Sequence, residues 1–103
     1  MTIHKTITED HLDLMHYIQQ DSKASQRDIS QNTGLSIGKV NYCLRALIDI
    51  GLVKVDNFNK SSKKINYTYI LTPKGIKQKT LITKKFIEKK KQEYDKLNTY
   101  INS

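Results

Sequence analysis

Helix-start and helix-stop signals alternate so closely between Ser25 and Gly51 that this stretch fits only two short helices joined by a tight corner. Ser25-Gln26-Arg27-Asp28 has the S-x-x-D pattern of a capping box, in which a hydroxyl and a carboxylate satisfy orphan backbone N–H groups. The helix it opens runs only to about Thr33, because Gly34 suits the left-handed conformation that ends a helix and Ser36 at once caps the next. That next helix carries Ile37, Val40, Cys43, Leu44, Leu47 and Ile48 on one apolar stripe and stops at Gly51. At about 100° per residue, its far side holds Gly38, Tyr42, Arg45 and Asp49, with Lys39 and Asn41 on the two flanks.

The remaining elements frame this pair. Leu12, Met15 and Ile18, widened by Leu14 and Tyr17, predict a first helix from about Thr8 to Gln20, with Thr8 as its cap. After Gly51 come two β-rich runs, Leu52 to Phe58 and Ile65 to Leu71, bracketing the polar loop Asn59-Lys60-Ser61-Ser62-Lys63-Lys64. Tyr67 and Tyr69 alternate onto one strand face and are expected to pack on the first or third helix. Thr72-Pro73 then supplies a cap and a proline at the first helical position, and nothing breaks helix from there to Ile101. The fold class expected is mainly α with a small β-wing: three helices and a two-stranded hairpin over residues 1–72, then a long C-terminal helix over 73–103.

With 103 residues the chain has room for one core, and at 37% hydrophobic content that core is thin, so a partner subunit is expected to complete it. The last helix offers the surface. Ile76, Leu81, Thr83, Phe86, Ile87, Tyr94, Leu97 and Ile101 follow an approximate a/d pattern, with Thr80 filling a gap, and are the expected dimerisation residues.

Charge is asymmetric. Residues 1–51 carry five basic and six acidic side chains, net −1, whereas residues 52–103 carry thirteen basic and four acidic, net +9, so the second half accounts for the positive formal charge of the chain. That sign attracts nucleic acid or an anionic membrane surface. The lysine run Lys84, Lys85, Lys89, Lys90, Lys91 reads as a solvated helix face before it reads as a contact to flanking DNA. Phe86 and Ile87 lie beside lysines without a wide apolar face, which disfavours membrane association. A single cysteine, Cys43, forbids an intrachain disulfide, and its place on the packed stripe reads as a small hydrophobe. The N-terminus has no signal-peptide run, and a cytoplasmic location is expected.

Catalysis and metals find little support. No nucleophile, base and orienting group stand together, and there is no phosphate-cradling glycine loop. His11-x-Asp13-x-x-His16 places its histidines about 140° apart around a helix, so they diverge. Neither an enzyme, a metal nor a cofactor is expected.

Helix, short helix, turn, helix and a hairpin with a basic tip place a helix-turn-helix directly before a β-wing. A short capped helix with polar and aromatic groups outward suits the roughly 12 Å major groove of DNA. Ser36 can cap that helix and bond a phosphate; Lys39, Asn41, Tyr42 and Arg45 are the candidates for base or phosphate contact; Gly38 allows a close approach. Lys60, Lys63 and Lys64 at the wing tip are placed for phosphates, each contributing roughly 0.9 to the salt slope. With only two arginines among eighteen basic residues, backbone contact is expected to dominate affinity.

The segments SQRDI (25–29), GLSIGKVNYCLRALI (34–48), GLVKVDNF (51–58) and YTYILTPKGI (67–76) resemble MarR-type winged-helix transcriptional regulators, in particular the short exopolysaccharide-associated MarR-like regulators of bacteria. The resemblance implies a homodimer on double-stranded DNA, helix 3 (36–50) in the major groove, the wing (52–71) at the adjacent backbone and minor groove, and a regulatory role at exopolysaccharide genes. The chain is shorter than typical MarR proteins, with little before helix 1 to build their larger helical dimerisation domain. The competing expectation is a protein-interaction module with a C-terminal coiled coil and no specific DNA binding.

Overall fold

The computed structural model describes residues 7–57 and 67–102, and orders them as α1 (Glu9–Gln20), α2 (Gln26–Thr33), α3 (Ile37–Asp49), β1 (Val53–Asn57), β2 (Tyr67–Leu71) and α4 (Pro73–Asn102). Each of the first three helices begins where a side chain caps it. The Thr8 hydroxyl accepts from the His11 N–H, and the His11 ring takes the Thr8 N–H in return, so a histidine stands where a glutamate or glutamine usually completes the box. Ser25 and Asp28 exchange the same pair of bonds at 3.1 and 3.0 Å, and the Ser25 N–H is the first reason the Asp28 carboxyl lies below the usual carboxylate range. Ser36 accepts from the Lys39 N–H at 3.1 Å.

Two glycines with φ of +80° set the corners, Gly34 ending α2 and Gly51 following α3. Beyond Ile50, the Gly51 N–H donates to the Ile48 carbonyl and the Leu52 N–H to the Leu47 carbonyl, which is the Schellman arrangement. That closure turns the chain from α3 directly into β1.

The core gathers Leu14, Met15 and Ile18 from α1, Ile29 from α2, Val40, Cys43, Leu44 and Leu47 from α3, Leu52 and Val53 from the start of the wing, Tyr69 and Leu71 from β2, and Ile82 from α4. Burying a Val, Leu, Ile or Met side chain contributes roughly 1.5–3 kcal/mol, so this cluster, rather than helix propensity, holds the eight-residue α2 in place. β1 and β2 pair antiparallel with Val53 opposite Leu71, Val55 opposite Tyr69 and Asn57 opposite Tyr67. The Tyr69 N–H donates to the Ser22 carbonyl at 3.2 Å, and Gln26 Nε2 donates to the Tyr69 hydroxyl at 3.2 Å, tying β2 to the α1–α2 corner. Of the two tyrosines expected to pack inward, Tyr69 does so; Tyr67, two residues nearer the wing tip, is exposed because the body ends below it.

Thr72 joins wing to final helix. Its hydroxyl accepts from the Gly75 N–H at 3.0 Å and donates to the Gly51 carbonyl at 2.6 Å, while its own N–H reaches the Leu52 carbonyl at 3.0 Å. The close approach needs Gly75, where a Cβ would overlap the Leu52 carbonyl oxygen. α4 is 30 residues long, and only its first part lies on the body, through Gly75, Ile82 and half-buried Phe86. The described residues extend over 66 × 28 × 21 Å. Among them no helix is long and apolar enough to cross a membrane.

Candidate nucleic-acid interface

The inward side of α3 is sealed by Val40, Cys43, Leu44 and Leu47, each no more than 1% exposed. Its outward side is consequently fixed. Ser36, Gly38, Lys39, Asn41, Tyr42 and Arg45 are all exposed, and Tyr42 keeps 67% of its surface. Asn41, Tyr42, Arg45, Ala46 and Asp49 border a shallow open groove of about 450 Å³. Six of the candidate contact residues thus share one continuous face. The other three, Lys60, Lys63 and Lys64, lie outside the described residues.

Lys39 is not a free cation. Its Nζ lies 3.8 Å from the Asp10 carboxylate at the start of α1 and 6.0 Å from the centre of the Tyr42 ring. Local sequence pattern gives no sign of Asp10, which reaches the interface only because α1 packs across α3.

Ile37 is a correction. The helical stripe placed it with the buried residues, yet it is 48% exposed and stands outside both the core and the ring of half-buried side chains around it. It occupies the first position of α3, where no preceding turn covers it, about 60° around the helix from Val40. The warning was its place directly after the Ser36 cap.

The two histidines of α1 have separate partners. His11 is buried with its Nδ1 2.8 Å from the Thr8 hydroxyl, and burial followed by the nearby Lys39 holds its pKa below the ordinary value, against an upward pull from Asp10. His16 is exposed, with Nδ1 2.9 Å from Lys79 Nζ on α4. Cys43 is fully buried, and burial is the main reason its thiol pKa is raised.

The second candidate surface is α4. Ile76, Leu81, Ile87, Tyr94, Leu97 and Ile101 are exposed, while Thr83 and Phe86 are half-buried and Phe86 packs against the chain's own core. At about 100° per residue, Ile76, Thr80, Thr83, Ile87, Tyr94, Leu97 and Ile101 fall on one seam in strict heptad register, with Lys90 at the remaining seam position. Leu81 lies about 140° from Ile76, away from that seam. Lys90 is drawn sideways to Glu9 of α1, at 2.7 Å.

Three helices, a helix-turn-helix corner closed by Gly34 and an antiparallel wing following α3 define a winged helix-turn-helix protein. Residues 11–54 match the family of winged helix-turn-helix DNA-binding domains. No curated protein sequence matches the chain. Among solved structures, it is similar to a MarR/EmrR family transcriptional regulator from Acinetobacter (21% identity, TM-score 0.67, covering 86% of this chain and 61% of that one). It is also similar to MepR of S. aureus in a complex with DNA (22% identity, TM-score 0.66, covering 88% and 65%). A transcriptional regulator homologue from Pyrococcus horikoshii shares the fold at 23% identity and TM-score 0.62, covering 94% of this chain and 91% of that one. The structural neighbours of this chain are therefore MarR-type regulators in fold, and it spans less than two thirds of the length of the Acinetobacter protein.

Proposed function

We propose that this chain is a sequence-specific DNA-binding transcriptional regulator of the MarR type that acts as a homodimer. The observation that carries the reading is the α3 face. A helix anchored by four buried side chains presents Gly38, Lys39, Asn41, Tyr42 and Arg45 outward, directly beside a wing. An α-helix of this size enters the major groove, with Lys39, Asn41, Tyr42 and Arg45 toward the bases and phosphates, Ser36 at a phosphate, and the wing over the adjacent backbone and minor groove. Asp49, one turn beyond Arg45, repels phosphate and turns the C-terminal end of α3 away from the DNA. The fold shared with the MepR–DNA complex supports this docking. Exopolysaccharide genes as targets rest on the sequence resemblance.

Residues 1–72 then form the DNA-binding unit, and residues 73–103 pair two copies through the α4 seam. Side chains such as Ile101, 81% exposed, support a partner along that seam, because an isolated helix gains too little from its backbone bonds alone. A two-fold dimer sets the two α3 helices about 34 Å apart and calls for an approximately palindromic operator.

The test is a fluorescence-anisotropy titration of the full chain against DNA from its own upstream region and a scrambled duplex, at two salt concentrations, with mass measured in parallel. A dimer that prefers its own region and weakens with salt is expected. Arg45→Ala should reduce that preference, and the pair Lys63→Ala and Lys64→Ala should lower the salt slope by roughly 0.9 for each phosphate left without its lysine. Equal binding to both duplexes would remove the sequence-specific reading, and no retention at moderate salt would favour a protein-interaction module.

A further inference from the structure

The outer face of α3 carries an aliphatic, a carboxamide and a guanidinium group in one row. Ile37, Asn41 and Arg45 follow at four-residue intervals, each exposed, and Tyr42 stands beside Asn41. Single exposed apolar residues are ordinary on protein surfaces, so Ile37 alone would say nothing. Its neighbours give it meaning. Gly38 beside it has open space for a Cβ, with nothing within 4 Å, so the fold does not require glycine there. Gly38 is the second residue of α3, glycine is less favourable in a helix than alanine by up to about 1 kcal/mol, and an incoming surface that must come close explains its use.

The major-groove edges of the bases match this row chemically. Thymine presents a methyl group that takes apolar contact, adenine a donor and acceptor pair that asparagine meets with both atoms of its amide, and guanine two acceptors for arginine's fork. Arg27 and Arg45 are the chain's two arginines, and Arg45 is the one on this face. Four residues of helix rise about 6 Å, and base pairs are spaced about 3.4 Å apart. Successive members of the row therefore fall about two base pairs apart along a helix that follows the groove.

We propose that α3 reads a half-site in which a thymine methyl seats on Ile37, an adenine is read by Asn41 about two base pairs further along, and a guanine by Arg45 about two beyond that. This inference rests on the DNA-binding reading above and specifies its substrate: a mainly A·T half-site with one guanine, recognised in part by methyl contact. Tyr42 adds apolar surface beside the central pair.

The test begins with a pool of randomised duplexes enriched on the full-length protein. Each thymine of the enriched half-site is then replaced by deoxyuridine, which removes only the methyl group. At one thymine position, replacement in a single half-site is expected to weaken binding about fourfold, the effect of taking one buried methyl group away. In Ile37→Ala, whose half-exposed position leaves the core intact, that same replacement is expected to have no further effect. Wild-type binding insensitive to every deoxyuridine, or a penalty of equal size in Ile37→Ala, would overturn the inference while DNA binding stands. A pool that yields no enriched sequence would overturn the sequence-specific DNA-binding reading itself, and the inference with it.

Discussion

Lys39 Nζ sits 3.8 Å from the carboxylate of Asp10, so a cation of the proposed DNA face is held by the first turn of another helix. Both side chains are more than 40% exposed, and such pairs contribute roughly 0.2–1 kcal/mol. Asp10→Asn removes a negative charge beside the interface and releases Lys39 to a phosphate. Affinity for DNA is expected to rise about two- to fivefold at low salt, with the gain shrinking as salt screens it. Anisotropy titrations at two ionic strengths read this directly, and unchanged affinity at low salt would show that the pair does not restrain Lys39.

Two glycine-to-alanine substitutions separate folding from binding. At Gly75 a Cβ meets the Leu52 carbonyl oxygen, and Gly75→Ala should cost about 1–3 kcal/mol or more through overpacking where α4 meets the wing. At Gly38 the space is open, and Gly38→Ala should stabilise the protein by roughly 0.5–1 kcal/mol while weakening DNA binding. Thermal unfolding and a binding titration on the same samples check both. Tight binding by Gly38→Ala would mean that α3 does not approach the DNA closely at that point.

His11 gives stability a pH dependence. Its folded pKa lies below the ordinary 6.5 because of burial first and Lys39 second, with Asp10 opposing. The unfolded chain therefore binds the proton more readily than the folded one. Stability from this site is complete above pH 6.5 and is lost as pH falls from there toward the lowered folded value. His11→Gln keeps an acceptor at the third position of the capping box and cannot titrate. The melting temperature of the wild type is expected to fall more than that of His11→Gln between about pH 7 and about pH 5; parallel curves would refute the assignment.

The α4 seam predicts which apolar residues matter for assembly. Ile87→Lys combined with Leu97→Lys places charges at two seam positions and should convert the proposed dimer to a monomer in light scattering, with weaker affinity for a two-half-site duplex. Leu81→Lys lies on another side of the helix and should leave the dimer intact. Dissociation by Leu81→Lys alone would place the seam elsewhere.

Much of this molecule is legible along the chain because it is specified locally. Thr8, Ser25, Ser36 and Thr72 cap helices within three residues of themselves, and Gly34 and Gly51 end them by adopting a left-handed conformation. The exposed face of α3 is equally readable, since the spacing of Val40, Cys43, Leu44 and Leu47 fixes which side turns inward. Local periodicity fails at the edges. Ile37 matches the apolar stripe yet stays half-exposed, because one side of a first helical turn has nothing packed against it. Leu81 satisfies a loose a/d count but not the angular position that a straight helix gives it.

The sequence alone determined where the helices begin and end, and which face of α3 is polar, because capping, glycine conformation and side-chain period act over a few residues. Only the tertiary structure decided that Asp10 meets Lys39, that Glu9 meets Lys90, and that Gly75 lies against Leu52. Those contacts join residues from twenty-odd to eighty positions apart. Their existence depends on the angles at which α1, α3 and α4 pack, and those angles are set by the fit of the whole core rather than by any one segment.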